Sequence, residues 1–240
     1  MPWGVKATEG RYAGMRIGEI WFAVEPLLLK FLATAEKLSV QVHPDDDYAA
    51  LHEAARGGRG KTEIWYVIAA KPGASVALGF QQPMTREEVR GAALDGSLEA
   101  KLHWIEATAG QTIFVPAGTV HALGAGLEIC EIQQNCDITY RLFDYGRGRE
   151  LHLERGLDVI SGSLGMAPGA GIVALPFRGT YFQVEMPPRS GMLGPGDLVV
   201  LDGEGKLGGQ DYSSREVWRL PEPVEFRPAR ETQSLWVRTQ

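Results

Sequence analysis

Four polar side chains interrupt apolar runs that otherwise have the composition of buried strands. Gln41 and His43 are two residues apart in SVQVH, so on a strand both point to the same face. Glu63 precedes the β-branched and aromatic run IWYVI, and His121 follows a Pro-Ala-Gly turn in VPAGTVHAL. If these strands are neighbours in one barrel, two imidazoles, a carboxylate and an amide oxygen converge as a ligand set for a metal ion.

The donor types favour Zn²⁺, with one ion per chain, although Fe²⁺, Mn²⁺ and Co²⁺ accept similar ligands. Spacing alone leaves an alternative open. A single histidine in an apolar run is often a hydrogen-bonded core residue, and Q-V-H also suits a strand with one solvated face. The pattern therefore indicates a convergence of ligands without identifying the reaction.

The elements that must position these residues are short strands. The chain has 240 residues, enough for one large domain or two small ones, and its 30 glycines and 14 prolines separate β-rich runs. This composition predicts an all-β-dominated fold with many turns. A few short helices are expected: one after Pro44, one after the capping-box pair Thr85 and Glu88, and one in LHLERGLDV.

We expect two β-barrel units, of which the second is a degenerate duplicate of the first. Residues 1–155 form a metal-binding unit with an N-terminal arm and a short helical insertion, and residues 156–240 form a degenerate β unit. No histidine follows His152, which argues against a second metal site of the same kind. His52 and His103 are predicted to be surface or structural residues, outside the site.

Charge, cysteine content and hydropathy exclude several classes of protein. The net charge of −6 argues against a general nucleic-acid binder. Cys130 and Cys136 are too few for a disulfide framework and lack the spacing of a thiolate zinc site. No apolar stretch is long enough to cross a bilayer, and MPWGVKATEG lacks the layout of a signal peptide, so a cytoplasmic location is predicted. The oligomeric state is left open.

Three longer motifs carry a family resemblance, which covers roughly residues 15–155. The segments LSVQVHPDDDYA, GKTEIWYVI and VPAGTVHALGAGLEICEIQQNCDITYRLFDYGR resemble the type I mannose-6-phosphate isomerases, zinc-dependent proteins of the cupin superfamily. One departure is the short connection between IGEIWFAV and PLLLKF, where the family is expected to carry a longer segment. We therefore expect a more open rim around the site.

The resemblance implies a double-cupin fold and a role for each matching residue. Gln41, His43, Glu63 and His121 match the family's zinc ligands. The four residues that match catalytic or cleft-facing positions are Glu131, Arg141, Lys30 and Lys61.

The implied reaction interconverts mannose 6-phosphate and fructose 6-phosphate through a cis-enediol, with Glu131 as the base and Arg141 stabilising the enediolate. Lys61, with Arg59 nearby, is a candidate for the phosphate contact, although a surface role for Arg59 is an equal alternative. Two other functions stay open. One is a cupin oxygenase that uses Fe²⁺ at the same ligands, and the other is a sugar-binding or regulatory cupin without turnover.

Overall fold

The computed structural model describes residues 4–6 and 15–239, which are built mainly of antiparallel strands. The remaining residues, including most of the segment MPWGVKATEG, lie outside the described part of the chain. Up to residue 143 the strands are β1 (Val5–Lys6), β2 (Arg16–Ile17), β3 (Glu19–Val24), β4 (Leu27–Ala33), β5 (Val40–Val42), β6 (Glu63–Ala70), β7 (Ser75–Phe80), β8 (Leu102–Glu106), β9 (Thr112–Val115), β10 (His121–Leu123), β11 (Leu127–Gln134) and β12 (Tyr140–Phe143). After residue 170 they are β13 (Gly171–Val173), β14 (Phe177–Arg178), β15 (Phe182–Glu185), β16 (Gly191–Leu193), β17 (Gly196–Asp202), β18 (Gly205–Leu207), β19 (Gln210–Tyr212), β20 (Glu216–Leu220), β21 (Val224–Pro228) and β22 (Gln233–Thr239).

Two sheets form the part of the molecule that carries the site. One has the strand order β12-β5-β10-β7-β8, and the other has the order β13-β9-β6-β11-β4-β3. Apolar side chains from both sheets pack together in a buried cluster, which includes Leu32, Trp65, Val67, Leu78, Ile113, Leu123 and Ile129. The all-β-dominated fold class predicted from the sequence is confirmed.

Strand alternation separates two kinds of side chain on the six-stranded sheet. On β4, Leu29 and Phe31 belong to the cluster on the outer face, whereas Leu32 joins the inner cluster. Lys30 lies between the two outward residues and is buried. On β11, Cys130 and Ile132 point outward in the same way, which leaves Glu131 facing inward. The apolar outer face thus directs the charged residues of these strands into the space between the sheets.

Helices cover the outer face of the five-stranded sheet, and their bounds are α1 (Asp46–His52), α2 (Arg86–Asp95), α3 (Leu98–Lys101) and α4 (Leu153–Val159). The predicted capping box of α2 is present: the Thr85 side chain accepts from the Glu88 backbone, and the Glu88 side chain accepts from the Thr85 backbone. α1 starts from Asp45 as its N-cap, and a 3₁₀ turn, Ala54–Arg56, follows it and ends at Gly57. No helix in residues 4–6 and 15–239 is long and apolar enough to cross a membrane.

The C-terminal strands form two further sheets, of order β14-β15-β22-β17-β20 and β16-β21-β18-β19. The first packs on the outer face of the six-stranded sheet, where Phe182, Val199 and Leu235 meet Leu29, Phe31 and other residues of that sheet. β13 pairs with β9 and so adds residues 171–173 to the six-stranded sheet. The division into two cupin-like units at residue 155 stays a prediction.

The short connection noted in the sequence is a β-hairpin. β3 pairs with β4 from Glu19 opposite Leu32 to Val24 opposite Leu27, and only Glu25 and Pro26 lie between the strands. β3 is the edge strand of the sheet.

Candidate metal centre and its cavity

Three of the four predicted ligands form one buried cluster. His43, Glu63 and His121 each offer a ligand atom, and these atoms lie within 4.8 Å of one another. His121 Nε2 lies 3.2 Å from Glu63 Oε1, and His43 Nε2 lies 3.4 Å from the same oxygen. Each side chain is at most 1% exposed. The strands converge here because β10 and β5 are adjacent in one sheet and β6 lies in the facing sheet.

Backbone carbonyls orient both imidazoles. Nδ1 of His43 lies 2.9 Å from the carbonyl oxygen of Ile138, and Nδ1 of His121 lies 2.9 Å from that of Thr119. A proton on each Nδ1 donates to these carbonyls and leaves the Nε2 lone pairs facing Glu63. Burial lowers the pKa of His43 to about 3 and also lowers the pKa of His121, so both rings are neutral at pH 7.

The cluster fits a divalent metal ion. Glu63 Oε1 and His121 Nε2 are buried without a hydrogen-bond partner among the described residues. Unpaired buried acceptors that face one another are costly unless something positive lies between them. Ligand atoms about 2.0–2.1 Å from a tetrahedral ion stand about 3.3 Å apart, which agrees with the separations in this cluster.

Lys61 borders the cluster on the cavity side. Its Nζ lies 2.9 Å from Glu63 Oε2 and 3.0 Å from His43 Nε2. Burial alone would raise the pKa of Glu63, but the charge of Lys61 and the facing His43 hold it well below its ordinary value. Since an imidazole nitrogen has one lone pair, binding of a metal by His43 requires Lys61 to give up that contact while it keeps Glu63 Oε2.

Gln41 lies beside the metal cluster but is not one of the three residues whose ligand atoms lie within 4.8 Å of one another. On β5 it is opposite His121 of β10 on one side and opposite Arg141 of β12 on the other. It lines the same cavity as Lys61. Its role as the fourth metal ligand stays a prediction.

A cavity of about 330 Å³ opens next to this cluster, between the two sheets. Its charged and polar lining residues are Glu19, Lys30, Ser39, Gln41, Arg56, Lys61, Glu131, Asp137, Thr139, Arg141, Arg149 and His152. Trp21 also lines it and is half exposed, because it lies on the edge strand β3. The structure therefore brings Lys30, Lys61, Glu131 and Arg141, the four residues matched to catalytic or cleft positions, to one cavity.

Glu131 is the buried carboxylate of this cavity. Its Oε1 accepts a hydrogen bond from Lys30 Nζ at 2.9 Å and lies 3.9 Å from Lys61 Nζ. Burial, together with the charge of Glu63, raises the pKa of Glu131 above its ordinary value despite the two lysines. The side chains of Lys30 and Glu131 meet because the two residues are directly opposite on β4 and β11. A carboxylate held in this state is suited to accept a proton near neutral pH.

Arg141 approaches the cavity from β12. Its Nη1 donates to the carbonyl oxygen of Glu150 at 2.7 Å, and its Nε is buried without a partner among the described residues. The backbone N–H of His152 donates to the carbonyl oxygen of Arg141, and the backbone N–H of Arg141 donates to the side-chain Nδ1 of His152. Arg141 thereby contributes a fixed positive charge to the lining of the cavity.

Sequence reasoning missed Arg56, Arg149 and His152 as cavity residues. They come from the 3₁₀ turn and from the loop before α4, and neither segment has a periodic pattern that indicates its direction.

Arg59 lies outside this cavity and pairs with Glu25 through an Nη1–Oε2 contact of 3.0 Å, in agreement with the surface alternative. His52 and His103 are exposed, as expected. Cys130 and Cys136 are buried free thiols.

Comparisons with known proteins agree with the predicted resemblance, although no family model matches the chain. A probable mannose-6-phosphate isomerase of Bacillus subtilis is 41% identical over 169 residues, which are 63% of this chain and 53% of that protein. A mannose-6-phosphate isomerase of Streptococcus mutans is 40% identical over 178 residues, 67% of this chain and 55% of that protein. The chain thus spans about half the length of the curated relatives it matches.

Solved structures extend the likeness to nearly the whole chain. The crystal structure of a mannose 6-phosphate isomerase from Bacillus subtilis matches with a TM-score of 0.72 and 25% identity, over 97% of this chain and 84% of that one. A zinc-bound mannose 6-phosphate isomerase matches in fold, with a TM-score of 0.57, 15% identity, and coverage of 90% of this chain and 76% of that chain. The resemblance predicted from the motifs is confirmed.

Proposed function

We propose that this chain, a relative of the mannose-6-phosphate isomerases, interconverts mannose 6-phosphate and fructose 6-phosphate with the help of one zinc ion. The observation that carries the proposal is that the His43, Glu63 and His121 cluster lies beside a cavity lined by the buried base Glu131, with Lys61 in contact with both Glu63 and Glu131. A metal cluster alone would also suit a binding protein. A carboxylate of raised pKa next to it supplies the proton transfer that an isomerase needs.

Zinc is the proposed metal, with Gln41 completing the ligand set of the three clustered residues. When bound, it would act as a Lewis acid towards the oxygens of the sugar's carbonyl and neighbouring hydroxyl groups. The all-nitrogen-and-oxygen donor set and the tetrahedral spacing of the cluster support this choice. The zinc-bound relative of similar fold supports it further.

Glu131 is proposed to move the proton. Conversion of the aldose to the ketose removes a proton from carbon 2 and returns it to carbon 1 through a cis-enediol, and one carboxylate on one side of the substrate can do both. Lys30 fixes the orientation of this carboxylate by its 2.9 Å hydrogen bond. The Lys30 charge also keeps the pKa of Glu131 from rising as far as burial alone would take it.

Arg141 and Lys61 are proposed to stabilise negative charge on the substrate oxygens. Arg141 lines the cavity, and its guanidinium carries a positive charge that needs no proton transfer of its own. Burial lowers the pKa of Lys61, but the charges of Glu63 and Glu131 raise it above its ordinary value, so Lys61 acts as a cation and hydrogen-bond donor rather than as a base. Arg141 faces the cavity from the five-stranded sheet and Glu131 from the other, so a substrate between the sheets meets both.

The test is a coupled assay of the zinc-loaded protein with mannose 6-phosphate, alongside other sugar phosphates and unphosphorylated mannose. We expect turnover of mannose 6-phosphate that a chelator abolishes and added zinc restores. Stabilisation by mannose 6-phosphate without any product would instead indicate a binding module. Purification with bound iron, together with oxygen consumption, would indicate an oxygenase. A sugar phosphate is the proposed partner, and a cytoplasmic location stays a prediction.

A further inference from the structure

The charges that line the cavity are balanced at one end only. Near the metal cluster, Lys30 and Lys61 face Glu63 and Glu131 at distances of 2.9 Å, two cations against two carboxylates. Arg56 is paired in the same way with Asp137 at 3.1 Å. Each of these cations is thus matched by a carboxylate, and this end of the cavity has no surplus positive charge for a phosphate group.

β12 and the loop that follows it carry three arginines and two carboxylates, Asp144 and Glu150, and the side chain of Glu150 is 84% exposed. Asp144, whose side chain is 3% exposed, accepts from both Arg147 and Arg149. Arg141 is close enough that the charges of Arg149 and Arg147, after burial itself, lower its pKa. No carboxylate lies within 4 Å of the Arg141 guanidinium among the described residues. The one buried carboxylate, Asp144, is therefore paired with two arginines while Arg141 has none, and positive charge accumulates at this end of the cavity.

Arg149 is the arginine of this group whose guanidinium is fixed by Asp144 and also lines the cavity. Its Nε donates to Asp144 Oδ2 at 2.8 Å and its Nη2 to Asp144 Oδ1 at 2.5 Å, so two donors fix the plane of the guanidinium. Its Nη1 has no hydrogen bond to the described residues, and the side chain lines the cavity. Arg147 shares the same carboxylate, but it donates to the carbonyl oxygen of Lys37 and lies outside the cavity.

The position of this charge matches the length of the proposed substrate. Arg149 lies in the loop after β12, the edge strand of the five-stranded sheet, and β12 is one strand spacing of about 5 Å from β5, which leads to His43, and two from β10, which carries His121. In a hexose 6-phosphate the phosphate is attached at the end of the carbon chain opposite to the reacting carbons. A sugar with carbons 1 and 2 beside the cluster therefore extends its phosphate away from it.

We propose that Arg149, oriented by Asp144, binds the phosphate group and selects phosphorylated over unphosphorylated sugars. This inference rests on the proposed function for the identity of the sugar. Phosphate binding at the arginine end of the cavity can, however, be measured without turnover. A guanidinium matches two phosphate oxygens at once, and its charge is independent of pH in the working range.

The experiment compares Arg149→Gln with Arg147→Gln in the full chain, with inorganic phosphate as the probe in titration calorimetry. We expect Arg149→Gln to weaken phosphate binding about 10- to 100-fold, since a charge-assisted hydrogen bond is lost, and Arg147→Gln to change it less than about twofold. In the isomerase assay, Arg149→Gln should raise KM for mannose 6-phosphate by a similar factor with a much smaller change in kcat. The preference for mannose 6-phosphate over mannose should fall accordingly.

Arg149→Lys keeps the charge but loses the fork, and it should bind phosphate with an affinity between those of the wild type and Arg149→Gln. Thermal unfolding of every variant checks that it is folded, and Asp144 keeps Arg147 as a partner when Arg149 is replaced. Unchanged phosphate binding in Arg149→Gln, equal weakening in Arg147→Gln, or no phosphate binding by the wild type would overturn the proposal. Phosphate binding that depends on Arg149 in a protein without isomerase activity would instead refute the proposed function and leave the anion subsite standing.

Discussion

The substitution Glu131→Gln removes one negative charge from the cavity with almost no change in side-chain shape. Glu131 is 4% exposed and accepts a hydrogen bond from Lys30 Nζ at 2.9 Å. A glutamine Oε1 can accept the same bond, so the packing of β11 against β4 should persist. The group proposed to carry the proton is lost, whereas the side chains of the metal cluster are left in place.

The expected size of the effect follows from these contacts. Loss of a general base lowers the rate by about 10²–10⁴, equivalent to about 3–5 kcal/mol in the activation free energy. The free energy of unfolding should fall by only about 1–3 kcal/mol, because the buried Lys30 loses a charged partner but keeps a hydrogen bond. The catalytic loss and the stability loss are thus separable by measuring both.

Two assays report on the proton transfer. Product formation is followed in the coupled assay, and exchange of the carbon 2 proton of mannose 6-phosphate in D₂O is followed by NMR, with zinc content measured on the same samples. Glu128→Gln is the matched control, because Glu128 lies on the same strand but is exposed and pairs with Arg215 on the surface. A Glu131→Gln protein with normal zinc content and more than a tenth of the wild-type rate would refute the assignment of the base.

Three further predictions test the site and its scaffold. His121→Ala should lower the bound zinc measured by mass spectrometry, and a chelator should then no longer lower the melting temperature as it does in the wild type. Lys30→Met should move the acid limb of the kcat/KM profile to higher pH: Lys30 lowers the pKa of Glu131, so its removal raises that pKa, and activity is lost as pH falls through it. An unchanged limb would contradict this coupling. Gly124→Ala should destabilise the fold by about 1–3 kcal/mol in urea unfolding, because an added Cβ would lie 2.4 Å from a backbone carbonyl oxygen. Gly91→Ala, at a helix position where a Cβ meets nothing within 4 Å, should instead stabilise it by about 0.5–1 kcal/mol.

The parts of the fold that depend on local rules were predictable from the sequence. Alternation predicts that Gln41 and His43 share a face, and the capping box of Thr85 and Glu88 predicts the start of α2. The close approach of His43, Glu63 and His121 needed more than alternation, because it depends on which strands pair across the two sheets. The family motifs supplied that information.

The arginine end of the cavity was not predictable in the same way. The direction of Arg149 depends on its contact with Asp144, five residues earlier in an irregular loop, and no repeating pattern encodes such a contact. Likewise, Arg56 lines the cavity and Arg59 does not, because Gly57 and Gly58, both with positive φ, turn the chain between them. The balance of charges in the cavity depends on residues that are far apart in the sequence, so no single segment predicts it.

The six-stranded sheet packs against both halves of the molecule, one on each face. One face carries Glu63 and Glu131, and the other face buries Leu29, Phe31 and Ile64 against the C-terminal sheet. Because the strands of this sheet are packed on both faces, unfolding of the sheet removes the packing of both halves at once. The metal-binding half and the C-terminal half should therefore unfold in one cooperative transition. The melting curve of the whole chain then becomes a reporter of the metal centre, and a fragment cut after residue 170 would leave this apolar face open to aggregation.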